Sequence, residues 1–141
     1  MINLKDIKAI IFDLDGTLVD SMWIWKQIDI DFLEKRGIIL PEDLQKEIEG
    51  KSFTETAQYF IKRFELLECI EEIQSEWNEM ARQFYAERIP LKAGVKQLLI
   101  NAKLHGIKMG IGTSNSRELL LEVVRAHQIE DFFGTIRTSC E

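Results

Sequence analysis

The stretch Ile10-Ile11-Phe12-Asp13-Leu14-Asp15-Gly16-Thr17-Leu18-Val19-Asp20-Ser21 decides the reading of the fold. Ala9 to Phe12 is a continuous apolar run, the pattern of a buried parallel strand. It ends in two carboxylates one residue apart and then a glycine. A strand that delivers acids to the carboxyl edge of a sheet puts them where open α/β folds build their ligand sites. Strand geometry would point Asp13 and Asp15 the same way, and Gly16 breaks that geometry so that the second acid can swing over the first.

The chemistry of such a pair is a nucleophile beside an acid. Asp13 can attack phosphorus to form an aspartyl-phosphate. Asp15 can protonate the leaving oxygen and then deprotonate the attacking water or sugar hydroxyl. Two carboxylates facing a phosphate repel it, so the site calls for a hard cation, most simply Mg²⁺. A calcium loop is excluded, because its ligand pattern also needs glycine at 18 and glutamate at 24, where Leu18 and Ile24 stand.

These residues resemble the first signature motif of the haloacid dehalogenase superfamily, in the form found in its phosphatase and phosphomutase branch, which includes β-phosphoglucomutase. The second acid matters, since dehalogenases lack it and transport ATPases carry a lysine there. The resemblance implies a Rossmann-like parallel sheet with an α-helical cap inserted after the first motif. It also implies Mg²⁺ held by Asp13 and by the backbone carbonyl of Asp15, and a small phosphorylated metabolite such as a sugar phosphate as substrate.

Length and composition agree with an ordinary globular chain: 141 residues, 45% hydrophobic and 30% charged, enough for one compact domain. A net charge of −6 without a basic stripe argues against nucleic acid. The apolar runs are too short to span a bilayer, and Lys5, Asp6 and Lys8 interrupt any signal-peptide pattern. Cys69 and Cys140 form no metal-ligand spacing, which suits reduced thiols and a cytoplasmic setting.

Along the chain, residues 7–13 read as the first strand, and helical periodicity takes over at Met22. Ile24, Ile28 and Phe32 mark one helix, stopped at Gly37. Pro41 to Gly50 bounds a short second one. Ser52 and Glu55 have capping-box spacing for a third, and Ile70, Ile73, Trp77 and Phe84 stripe a long fourth over about 68–87. After Pro90, a helix over 95–105, a strand over 107–112, a helix capped by Asn115 and a strand over 134–139 complete the pattern. The expected domains are an α/β core of residues 1–20 and 91–141, with an incomplete sheet of about three strands, and a helical cap of residues 21–90. Right-handed crossovers place the strands side by side in the order one, two, three.

Met109-Gly110-Ile111-Gly112-Thr113-Ser114-Asn115 resembles the family's second motif, a strand ending in Thr or Ser. The resemblance implies that Thr113 bonds a phosphate oxygen through its hydroxyl and that the Ser114 N–H helps hold the same anion. Asn115 is either part of that site or a plain helix cap. Lys51, in a segment where related caps contact substrate, could reach a sugar or a second phosphate, and an ordinary solvated lysine explains it as well. Trp23 and Trp25 follow Asp20-Ser21, the expected hinge into the cap, where they either line a cleft or serve the core. His105 and His127 stand at predicted helix C-termini, where capping accounts for them.

The family's later lysine and distal acids have no counterpart before Glu141. The expectation is therefore either a phosphoryl-transfer enzyme or a catalytically impaired fragment that keeps the fold as a binding or oligomerising module. The same reasoning leaves the first strand as an uncovered edge, which predicts self-association through it.

Overall fold

The sheet is the frame on which the acids are carried. In the computed structural model, which describes residues 3–139, three parallel strands lie in the order β1-β2-β3. They are β1 (Ala9–Phe12), β2 (Lys108–Gly112) and β3 (Thr135–Arg137). Ile10 pairs with Met109 and Phe12 with Ile111, while Gly110 pairs with Thr135. Between β1 and β2 come α1 (Ile24–Glu34), α2 (Leu44–Ile48), α3 (Phe53–Phe64), α4 (Ile70–Glu87) and α5 (Val95–Leu104), and α6 (Arg117–Ala126) joins β2 to β3. The order follows from right-handed βαβ crossovers. No helix among the described residues is long and apolar enough to cross a membrane.

The chain divides into two compact units. One holds the residues up to Met22 and from Arg82 onward, the other Trp23–Ala81. The boundary falls within α4, so the α/β unit includes the last turns of that helix.

In the helical unit, local signals act as read. The Ser52 hydroxyl accepts from Glu55 N at 3.1 Å, capping α3. Past α1, Ile38 N returns to Leu33 O at 2.9 Å around Gly37, which has φ +70°. The core of this unit is aromatic: Trp77 meets Phe60 and Phe32 edge-on at 5.1 and 5.6 Å between ring centres. Cys69 is exposed and unbridged, and Cys140 lies outside the described residues.

In the α/β unit, Leu99, Ile111, Leu120, Val123 and Val124 are all but fully buried, and Phe12 stacks edge-on against Phe133 at 6.2 Å. The first strand is not buried throughout, as its apolar run suggested. Ile10 and Phe12 face inward, but Ile11 is 79% exposed and Ala9 is exposed. Alternation along a strand sends Ile11 to the opposite face. There it lies over Gly112 beside Gly110, where an open groove of about 480 Å³ is lined with Lys108, Thr135 and Arg137. No other strand flanks β1 among the described residues.

Candidate active site

The acids sit in a turn, not in the strand. β1 ends at Phe12, and the buried carbonyl of Leu14 then accepts from the N–H groups of Thr17, Leu18 and Val19 at 3.2, 3.0 and 3.2 Å. Three donors on one oxygen fold residues 14–19 into a tight loop. Gly16 supplies the left-handed backbone that the loop needs, with φ +78°, and a Cβ there would come within 3.2 Å of the Met22 sulfur. Asp13 and Asp15 consequently leave the strand's alternation.

The two carboxylates have different surroundings. Asp13 is exposed, and its Oδ1 accepts from the N–H of Leu14 at 2.8 Å. Asp15 is half-buried and takes three side-chain donors. Its Oδ1 accepts from the hydroxyls of Ser21 at 2.6 Å and Tyr85 at 2.5 Å, and its Oδ2 accepts from the Asn115 amide at 3.0 Å. Burial, and then the hydrogen bond to Asp15, push the Tyr85 phenol far above its ordinary pKa, so it remains a donor.

The loop at the end of β2 completes the site. Thr113 N bonds Arg137 O at 3.0 Å, which continues the β2–β3 pairing past the strand. The Thr113 hydroxyl accepts from Asn115 N at 3.1 Å, an arrangement that leaves its O–H to donate outward. Ser114 is exposed beside it. The cap of α6 is Ser116, whose hydroxyl accepts from Leu119 N, and not Asn115 as its spacing suggested. Asn115 instead accepts from Ser116 N at 2.7 Å and turns its amide N–H₂ to Asp15 and to the Tyr85 oxygen, each at 3.0 Å. Both capping assignments satisfy the first helical turn, and the non-local partner Asp15 decides between them.

The chain passages on either side of the helical segment are tied together in the α/β unit. Val19 bridges Leu91, with Asp20 N on Pro90 O and Lys92 N on Leu18 O, both at 2.9 Å. His127 also contributes there: it caps α6 through its backbone N–H on Val123 O at 3.1 Å, and its ring Nε2 meets Ile89 O at 2.6 Å, which anchors the return passage. His105, by contrast, meets Asn101 O through Nδ1 at 2.8 Å within its own helix end.

Lys51 belongs to the helical unit, with its ammonium 5.6 Å from the centre of the Tyr59 ring. Together with Trp25, Asp29, Ile48, Phe53, Thr56 and Trp77 it lines a pocket of about 270 Å³. Trp25 packs edge-on against Phe53 at 6.3 Å. Asp29 is 7% exposed and has the Gln45 amide as partner at 3.2 Å; burial raises its pKa to about 6.

Asp13, Asp15, Thr113, Ser114 and Asn115 thus belong to one unit, and hydrogen bonds join Asp15, Asn115 and Thr113 directly. Sequence reasoning missed Tyr85 altogether. It follows Phe84, which the apolar stripe of α4 took for the inward position, and at 1% exposure it is the more deeply buried of the two. Its phenol at the end of a helical stripe was the one available signal, because a buried hydroxyl needs a partner. Among the described residues, no three or more His, Cys, Asp or Glu side chains gather into a metal-binding group.

The sequence profile of the haloacid dehalogenase-like hydrolases matches residues 10–141. A phosphorylated carbohydrates phosphatase from Thermotoga maritima is 26% identical over 130 residues, which cover 92% of this chain and 60% of the relative. A candidate β-phosphoglucomutase structure from Thermotoga maritima superposes with TM-score 0.84 at 25% identity, covering 95% of this chain and 62% of that one. YfnB of Bacillus subtilis, a candidate hydrolase of the same superfamily solved bound to magnesium, shares the fold with TM-score 0.76 at 16% identity, covering 94% of this chain and 65% of its own. The chain spans about three fifths of the length of the curated relatives it matches first.

Proposed function

The chain belongs to the haloacid dehalogenase-like hydrolase family, and from that premise we propose that it transfers phosphoryl groups from small phosphorylated metabolites such as sugar phosphates, through an aspartyl-phosphate on Asp13. The observation that carries this reading is the contrast between the two acids: Asp13 is exposed and Asp15 is held by three donors. An exposed carboxylate with one oxygen restrained by an amide suits a nucleophile. A carboxyl oriented on both oxygens suits the acid and base.

In the first half-reaction, the Asp13 oxygen not bound to Leu14 attacks phosphorus. The ester P–O bond breaks, its electron pair stays with the leaving oxygen, and Asp15 supplies that oxygen with a proton. In the second half, water attacks the acyl phosphate and gives its proton to Asp15, and the bond to Asp13 breaks to release phosphate. A phosphomutase would use a sugar hydroxyl in place of that water. The Thr113 hydroxyl and Ser114 N–H would hold phosphate oxygens through both halves.

The donor set fits Mg²⁺ in kind, since it consists of hard oxygens, and this cation is commonly held by one or two carboxylates with waters and substrate phosphate. Asp13 and the backbone carbonyl of Asp15 would hold it, and its charge would offset the repulsion between phosphate and the two acids. The magnesium in YfnB supports the same choice. We read the helical segment as an inserted cap; the bridged passages at Val19 and Leu91, which bring the two ends of the insertion together, support that reading. Lys51, lining the pocket of the helical unit, is the candidate contact for the organic part of the substrate.

The test is hydrolysis of an aryl phosphate with and without Mg²⁺, with Asp13→Asn as control. Turnover that needs Mg²⁺, stops with chelator and is lost in the variant is expected. Turnover retained by Asp13→Asn would overturn the reading.

A further inference from the structure

We propose that Tyr85 and Asn115 are positioning residues that orient Asp15 so that its Oδ2 is the oxygen exchanging a proton with the leaving group. The inference rests on the assignment of Asp15 as acid and base given above.

A carboxylate oxygen accepts through two lone pairs. Oδ1 of Asp15 uses both, on the Ser21 hydroxyl at 2.6 Å and the Tyr85 phenol at 2.5 Å. Oδ2 takes one donor, the Asn115 amide at 3.0 Å, and keeps one lone pair for the substrate. The carboxyl plane is therefore fixed by bonds on both oxygens, and only one oxygen is left with free capacity.

The donors are themselves held. Tyr85 is 1% exposed, Ser21 is 2% exposed, and neither hydroxyl has water as an alternative. The Tyr85 oxygen accepts from Asn115 Nδ2 at 3.0 Å, so its own proton goes to Asp15. Asn115 is fixed by three further bonds: its Oδ1 accepts from Ser116 N, its N–H donates to the Thr113 hydroxyl, and its carbonyl accepts from Ser139 N. A connected set of bonds thus joins the residue assigned to hold phosphate to the residue assigned to protonate the leaving oxygen. Tyr85 enters it from the last turns of α4 and Asn115 from the loop after β2.

Leaving groups of different basicity separate this role from a purely structural one. An alkyl alkoxide needs a proton as it departs, whereas a dinitrophenolate does not. Tyr85→Phe removes the hydroxyl and keeps the ring, and kcat/KM reads the first half-reaction alone. Relative to wild type, kcat/KM for an alkyl phosphate is expected to fall roughly tenfold or more further than kcat/KM for dinitrophenyl phosphate. Equal losses for the two substrates would overturn the proposal. Asn115→Ser serves as the second variant, with the same expected asymmetry, should Tyr85→Phe fail to fold by circular dichroism.

A second measurement needs no turnover. In ¹⁵N–¹H spectra the Asn115 side-chain amide is expected to move in both Asp15→Asn and Tyr85→Phe. An Asn115 signal unmoved by both variants would refute the positioning bonds. A wild-type protein that cleaves neither substrate but shows these shifts would keep the positioning geometry and remove the proposed function.

Discussion

The phenol of Tyr85 donates a 2.5 Å hydrogen bond to Asp15 Oδ1 from a position 70 residues away in the chain. Asp15 is thereby part of the packing of the α/β unit. Asp13, exposed and bonded to its neighbour's N–H, is not.

The two acids should therefore separate in stability measurements. Asp15→Ala strands the buried hydroxyls of Ser21 and Tyr85, and is expected to lower unfolding free energy by about 1–3 kcal/mol. Asp13→Asn is expected to stay within about 0.5 kcal/mol of wild type, as surface changes do. Urea titrations of both variants, followed by circular dichroism, provide the comparison. A stable Asp15→Ala protein would show that the network carries no net energy.

Asp29 sets a pH dependence in the helical unit. Burial lifts its pKa from 3.8 to about 6 in the folded chain, despite the opposing bond from Gln45. A raised carboxyl pKa means that the folded state binds the proton more tightly than the unfolded state. The stability it contributes is complete below pH 4 and is lost as pH rises through about 6. Comparison with Asp29→Asn isolates this group: from pH 7 to pH 4 the wild type should gain on the variant by up to about 3 kcal/mol. A pH-independent difference in thermal unfolding would show that Asp29 is solvated.

Gly110 and Gly112 alternate with inward residues on β2 but differ in tolerance. A Cβ on Gly110 would stand 3.0 Å from the Thr135 carbonyl oxygen, an atom fixed in the neighbouring strand. Gly110→Ala is expected to cost about 1–3 kcal/mol by forcing β2 and β3 apart. On Gly112 the nearest atom is the Ile11 methyl at 3.5 Å, ordinary contact, so Gly112→Ala should be far milder. Chemical denaturation of the two variants side by side tests the contrast.

Arg36 holds the end of α1 through several groups at once. Its guanidinium binds Glu68 at 2.8 Å, Glu76 at 2.7 Å and the Phe32 carbonyl at 3.0 Å, and its centre lies 3.7 Å from the centre of the Phe32 ring. Lysine keeps the charge and loses the planar fork. Arg36→Lys is expected to destabilise the helical unit by about 1 kcal/mol, a figure reduced for solvent screening, with the loss shrinking as salt is added. A change below about 0.3 kcal/mol at low salt would count against the network.

The legible parts of the molecule are those whose determinants lie within one or two turns of chain. Ser52 caps α3 because Glu55 N is three residues on, and Gly37 ends α1 because it alone there takes a positive φ readily. The acids at the end of β1 were visible because a strand run and a following glycine are contiguous. Ile11 was misjudged for a different reason: an apolar residue on a strand does not record whether another layer covers its face. The cap of α6 was misplaced because Asn115 and Ser116 offer equivalent caps, and the choice depends on an acid 100 residues from Asn115.

The sequence by itself therefore determined the strand and helix order, the β1-β2-β3 sheet and the placing of Asp13 and Asp15 at the end of β1, because each follows from short-range spacing and the handedness of the chain. Only the tertiary structure decided that Asp15 is held by Ser21, Tyr85 and Asn115 while Asp13 stays open. Those bonds form between groups far apart in sequence, where burial removes water as a competing partner and leaves each polar atom to find another.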